Sequence, residues 1–171
     1  AFLDMENVRF IINISKEALS SSGFDAVEFF IQTNAGEEAR PLEKIASGGE
    51  LSRIMLAIKS VMRNRNSTDT IIFDEIDTGV SGAIADKMGE IITNLSGSLQ
   101  VVNITHLPQV ASKGDHHFLV YKEETPEGTL SRIRKLSSEA RVAEIAKMLS
   151  GSAVTAAATE QARLLLGMEK L

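Results

Sequence analysis

Residues 70–82, TIIFDEIDTGVSG, constrain this chain more than any other stretch. β-Branched and aromatic side chains from Thr70 to Phe73 run straight into three acids within four positions, Asp74, Glu75 and Asp77, and then into a loop punctuated by Gly79 and Gly82. A short continuous apolar run is how a strand buried in a parallel sheet reads, and open α/β sheets gather ligands beyond the carboxyl ends of their strands. Such a strand delivers carboxylates to the sheet edge, where a metal ion and a phosphate bind. An apolar run ending in acids is as often a strand entering a solvated turn, so on these residues alone both readings stand.

The residues beyond this loop narrow the choice. A helix is predicted from about Ser81 to Leu95, with Ile84, Met88, Ile91, Ile92 and Leu95 on one side and Ser96-Gly97-Ser98 ending it. Residues 99–105, LQVVNIT, read as a second apolar strand that finishes at His106, followed by Leu107-Pro108-Gln109. Strand, helix, strand at this spacing is a βαβ unit, and a right-handed crossover puts the ends of both strands on one edge of a parallel sheet. Asp74, Glu75 and His106 are therefore expected to converge.

Upstream, apolar residues at Leu51, Ile54, Met55, Ile58, Val61 and Met62 fall at the spacing of an amphipathic helix. Its start lies at Ser47-Gly48-Gly49-Glu50. The free N–H groups and partial positive charge of a helix start bind anions, and glycines let a phosphate approach the backbone. Taken in isolation, Ser47 as a simple cap with a glycine turn explains the same residues. Arg53, Lys59 and Arg63 lie off the apolar stripe and, with Arg65, read as a solvated face; Arg132, Arg134 and Lys135 read as a polar strand edge.

Residues 8–14 and 26–33 are predicted strands joined by the turn at Ser20–Gly23, giving a hairpin or small antiparallel layer. Residues 117–122 and 129–136 are two more, joined by a polar turn at 123–128, and residues 138–149 and 152–166 are short helices. With 43% hydrophobic and 24% charged residues in 171, this is the composition of one soluble globular domain. No apolar run reaches the roughly 18–20 residues of a membrane span, so no membrane partner is expected and the cytoplasm is the expected compartment. There is no cysteine, which excludes disulfides, thiol catalysis and cysteine-held metals. His116 and His117 are adjacent and, on a strand, would point to opposite faces. A net charge of −5 does not announce a nucleic-acid surface. The opening Ala1 carries no start signal, and a fragment of a longer protein is expected.

Three stretches remain to be explained together: ASGGELSR at 46–53, TIIFDEIDTGVSG at 70–82 and ITHLPQVA at 104–111. In that order and spacing they resemble the signature motif, the Walker B strand with D-loop, and the switch histidine of an ABC-type ATPase head. Among such heads, the wording matches those of the SMC-like RecN family of DNA repair proteins. The resemblance implies an α/β fold: the C-terminal lobe of the head, a parallel sheet with flanking helices plus a small antiparallel layer. It implies that Asp74 helps hold Mg²⁺ through its water shell, that Glu75 orients and deprotonates the attacking water, and that His106 contacts the γ-phosphate of ATP. Ser47, Gly48 and Gly49, with Glu50 closing the motif, would face a nucleotide held by a second head, and Thr78, Gly79 and Ser81 would form the loop that crosses to that partner. DNA would be a partner of the full-length, nucleoid-associated bacterial protein.

The departures are specific. Many ABC signatures read LSGGQ, whereas Ala46 and Glu50 stand here, and Ser81 stands where many D-loops have Asp. Asp77 receives no secure role. The chain contains no G-x-x-x-x-G-K-[ST] phosphate loop; in SMC-like proteins that motif lies in an N-terminal lobe, across a coiled coil. By itself the chain is expected to bind ATP weakly or not at all. Another SMC-type head and a non-hydrolysing scaffold of the same fold are the alternatives. A hydrolase of another acid–histidine type lacks the G-x-S-x-G elbow it would need.

Overall fold

The computed structural model describes residues 7–44, 48–62, 69–151 and 153–168. Its centre is the predicted βαβ unit: β4 (Thr70–Asp74), α2 (Gly82–Ser96) and β5 (Gln100–Ile104). The two strands pair in parallel, Thr70 opposite Gln100 through to Asp74 opposite Ile104, so they end level. Residues alternate across a strand. Ile71, Phe73 and Val101 therefore turn to one face, where they pack with Met88 and Leu95 of α2, Ile76 of the following loop and Leu56 of α1 (Gly48–Met62).

The opposite face carries Ile72, Val102 and Ile104, which are 65%, 42% and 49% exposed. Continuous apolar strands are expected to be covered on both sides. In this chain the described residues cover one side, because the only crossover helix between the two strands is α2.

The helix α1 occupies its predicted span but not with its predicted face. Val61 is 84% and Met55 40% exposed, while Leu56, off the expected stripe, is fully buried. The helix is apolar around most of its circumference, IMLAI in its middle, so spacing could not choose between Leu56 and the Met55–Val61 side. Ile54 is buried as expected. Arg53 is half-buried with a buried Nε that has no partner among the described residues, so it does not lie on a solvated face. Arg63 and Arg65 fall outside the described residues.

The N-terminal strands form a long antiparallel hairpin, β1 (Arg9–Ser20) and β2 (Gly23–Gln32), turning at Ser20–Gly23, with the two-residue β3 (Arg40–Pro41) and a 3-10 turn (Leu42–Lys44) beside it. Phe10 stacks on Phe29 across the hairpin with ring centroids 5.6 Å apart. A second hairpin joins β6 (Phe118–Thr125) to β7 (Gly128–Lys135). Its turn is tighter than the polar stretch predicted, because Thr125 and Gly128 already pair.

Three further helices close the chain. α3 (Pro108–Ala111) is a single turn, opened by proline where a missing N–H costs nothing. α4 (Ser138–Ser150) and α5 (Ala156–Leu165) are capped by the Ser137 and Thr155 hydroxyls and pack through Ile145, Ala146 and Ala162. Arg141 of α4 donates to the carbonyls of Ser112, Gly114 and Asp115, tying α4 to the loop after α3.

Candidate functional site

The carboxyl edge of the β4–β5 pair is built by a loop whose residues divide cleanly into two sets. Ile76, Asp77 and Val80 are buried, while Asp74, Glu75, Thr78, Gly79 and Ser81 are exposed. Ile76 joins the main core and Val80 packs with Ala85 and Val110 of α2 and α3. The loop is thus anchored from below and presents its polar residues outward.

Backbone bonds fix its path. Glu75 N–H donates to Ile104 O at 3.1 Å, extending the parallel ladder one residue past Asp74. Glu75 O then accepts from Thr78 N–H at 3.2 Å and from the Thr78 hydroxyl at 2.9 Å, and Asp77 O accepts from Val80 N–H at 3.1 Å. To make the turn, Glu75 takes φ 46°, the only positive φ of a non-glycine residue among those described. Left-handed backbone costs an L-residue roughly 1–2 kcal/mol. Gly79 at 75° and Gly82 at 55° take the same region without that penalty. Strain of this kind persists where surrounding structure dictates it, and it gathers at functional sites.

His106 stands on the other side of the same edge, two residues after β5 ends, with its side chain 62% exposed and Nδ1 3.9 Å from Asp77 Oδ1. Asp77, wholly buried, accepts the Thr105 hydroxyl proton through Oδ2. Thr105 Oγ1 in turn accepts Leu107 N–H at 3.0 Å. Asp77 therefore joins the two loops of the site, a role its place in the sequence does not reveal. Only the parallel register brings it to Thr105, 28 residues on.

Ser81 sits at the N-cap position of α2, yet its side chain makes no capping bond. Ser81 is exposed where the loop meets the helix. Asp74, Glu75 and His106 thus lie at one edge of the strand pair, as the βαβ reading expects, and the exposed Thr78, Gly79 and Ser81 follow in the same loop. Gly48, Gly49 and Glu50 open α1, so that helix begins where it was placed; Ser47 lies outside the described residues.

Among the described residues no three His, Asp, Glu or Cys side chains cluster closely enough to cage a metal ion. Magnesium is bound through one or two carboxylates with waters and substrate phosphates rather than by such a cage, and Asp74, exposed beside Glu75, is of that donor type. Of the two adjacent histidines, His116 is exposed. His117 is half-buried, and its Nδ1 has no partner among the described residues. Burial holds its pKa below the usual histidine value, helped by the Arg141 guanidinium and opposed by Glu144.

No protein-family model matches the chain. Individual proteins do. The DNA repair protein RecN of Bacillus subtilis is 46% identical over 156 residues, 91% of this chain and 27% of that protein. RecN of Halalkalibacterium halodurans is 44% identical over 153 residues, 90% and 27% of the two chains. RecN of Vibrio cholerae is 42% identical over 166 residues, 96% and 30%. The chain thus spans 27–30% of the length of these curated relatives.

Solved structures agree on the fold. The SMC head domain with coiled coil and joint from Pyrococcus yayanosii superposes with a TM-score of 0.59 at 23% identity, over 84% of this chain and 26% of that one. An SMC head bound to the C-terminal winged-helix domain of ScpA gives 0.51 at 25% identity, over 77% and 38%. The α/β unit with its separate antiparallel strands is the fold of a lobe of an SMC-type ATPase head. The chain belongs to the RecN family of DNA repair proteins and corresponds to the C-terminal part of its members.

Proposed function

We propose that this chain is the C-terminal lobe of a split ATPase head in an SMC-like DNA repair protein, and that it completes an ATP site with an N-terminal lobe of the same protein and with a second head. The observation that carries this is the edge at which Asp74, Glu75 and His106 meet, with Glu75 held in strained backbone at its centre. Bound MgATP supplies the phosphoanhydride bond that is broken. Asp74 would hold the magnesium, which would neutralise phosphate charge; Glu75 orients the attacking water and accepts its proton; His106 contacts the γ-phosphate. The start of α1, with Ser47, Gly48, Gly49 and Glu50, faces the nucleotide of the second head. Thr78, Gly79 and the uncapped Ser81 reach toward that head.

The N-terminal lobe supplies the glycine–lysine loop that this sequence lacks. The apolar face of Ile72, Val102 and Ile104 supports such a neighbour, since a face of this kind is ordinarily covered. DNA is engaged by the full-length protein, in the cytoplasm and on the nucleoid. Among the described residues no helix is long and apolar enough to cross a membrane. The isolated lobe binds ATP weakly or not at all.

A non-hydrolysing scaffold is the rival reading, and the exposed, strained Glu75 speaks against it. Pure scaffolding gives no reason to keep an acid where glycine would relieve the backbone. The test is ATP turnover by the full-length protein with Glu75→Gln. Turnover falls by about 10²–10⁴, the usual worth of a general base, while ATP-dependent dimerisation persists. Unchanged turnover would remove Glu75 from the reaction.

A further inference from the structure

We propose that Asp77 is the positioning residue for His106, gripping the switch segment from beneath and holding the imidazole in its working orientation; the inference rests on the ATPase reading above. A buried carboxylate is costly to keep unless its oxygens are bonded. Asp77 is 0% exposed, yet only one of its two oxygens is satisfied among the described residues. Oδ2 takes the Thr105 hydroxyl, whose oxygen takes the Leu107 amide, so one carboxylate restrains the residues on both sides of His106.

The other oxygen, Oδ1, is buried and without a hydrogen-bond partner among the described residues, and it faces His106 Nδ1 at 3.9 Å. That separation exceeds a hydrogen bond. An exposed imidazole can close it by rotation, whereas the buried Asp77 is fixed. Once closed, Nδ1–H is held by Asp77 and Nε2 is turned to the open edge where Glu75 lies. The partner of one ring nitrogen sets the orientation and proton of the other. Had Asp77 served only to hold Thr105, an amide or hydroxyl would suffice and no second buried oxygen would need to be carried.

Asp74 and Glu75 share the edge but are exposed, and the nearest packed elements, α2 and α3, meet this loop through the apolar residues Ala85 and Val110. Asp77 Oδ1 is the buried, unpartnered oxygen that faces the ring, 3.9 Å from Nδ1.

The experiment is a mutant cycle in the full-length protein, with Asp77→Asn, His106→Ala and the double variant. D77N is isosteric and still accepts the Thr105 proton through its amide oxygen, but it sets an NH₂ against Nδ1. Each variant is first checked for an intact thermal transition without nucleotide and for dimerisation on ATP. In D77N, kcat falls about tenfold or more while KM for ATP and dimerisation stay within about twofold, and the double variant is no slower than H106A alone. If D77N does not fold, Thr105→Val takes its place in the cycle: it removes the hold that Asp77 has on the switch segment through its other oxygen, and wild-type kcat in folded T105V would overturn the proposal.

Wild-type kcat in folded D77N would overturn the proposal. So would a loss in D77N that multiplies with that of H106A, or one that appears in KM and dimerisation instead of kcat. If the unaltered protein fails to hydrolyse ATP, or E75Q leaves its turnover unchanged, the ATPase reading falls and this inference with it. Normal wild-type turnover, abolished by E75Q yet untouched by D77N, sinks the role of Asp77 alone.

Discussion

Thr105 offers the clearest measure of how strongly the two loops of the site are joined. Its hydroxyl donates to the fully buried Asp77 carboxylate and accepts the Leu107 amide at 3.0 Å. Valine has nearly the same shape but neither donates nor accepts. Thr105→Val therefore leaves a buried carboxylate without its donor and a backbone N–H without its acceptor. A hydrogen bond to a charged group contributes about 1.5–3 kcal/mol, and a stranded amide costs about 1–3, so the loss comes to roughly 3–5 kcal/mol. Thr105→Ser keeps both bonds and gives up one half-buried methyl, at most about 0.8 kcal/mol.

The comparison of these two variants, rather than either alone, isolates the hydroxyl. Urea unfolding of the full-length protein, followed through the transition that removes the head, supplies the readout. With a slope of about 2 kcal/mol per M, the T105V midpoint falls about 1–2 M below that of T105S. Equal midpoints for the two would show that the bond to Asp77 stabilises nothing, and the account of the joined loops would be wrong.

Two more outcomes rest on particular contacts. A Cβ on Gly89 would lie 2.9 Å from Lys113 Cγ and 3.4 Å from Gln109 O, so a side chain there must displace the Lys113 stem and presses on the backbone of α3. Gly89→Val is expected to cost about 1–3 kcal/mol of stability, read by the same urea titration, and to lower ATP turnover by shifting the turn after His106; full activity and stability together would refute the tight packing. At His117 the folded-state pKa lies below the ordinary value of 6.5 because burial disfavours the charged ring, as does Arg141. The unfolded chain then binds more protons than the folded one just below pH 6.5, so stability is present above that pH and is lost as pH falls through it toward the lower folded value. His117→Gln should flatten that acid-side slope in unfolding midpoints measured from pH 7.5 down to about pH 5; an unchanged slope would assign it to other groups.

Much of the fold was legible because local signals agreed. The span 70–74 was placed to the residue, since β-branched residues end abruptly at acids, and the Ser20–Gly23 turn and the starts of α1 and α4 were evident from glycine and serine at chain reversals and caps. α3 and β3 were missed because one helical turn and a two-residue strand carry no periodicity to detect. The face of α1 was misjudged for a different reason: where apolar residues surround a helix, burial is decided by what packs against it, here the Phe73 and Met88 cluster that selects Leu56.

The candidate site divides along the same line. Glu75 and His106 could be picked out because an acid and a histidine directly after two apolar strands are conspicuous and a βαβ crossover brings those strands level. Asp77 was not, although it lies within the same motif. In sequence it is a third acid in a polar run, and the natural expectation for such a residue is solvent. It is buried because Ile76 and Val80 on either side pull the loop down into two separate clusters, leaving Asp77 over the end of β5, where Thr105 is the available donor. The position of a polar group in a core is thus set by its apolar neighbours, and its partner by strand register. Neither is a property of the residue itself, which is why the acid that holds the site together was the one whose role could not be read.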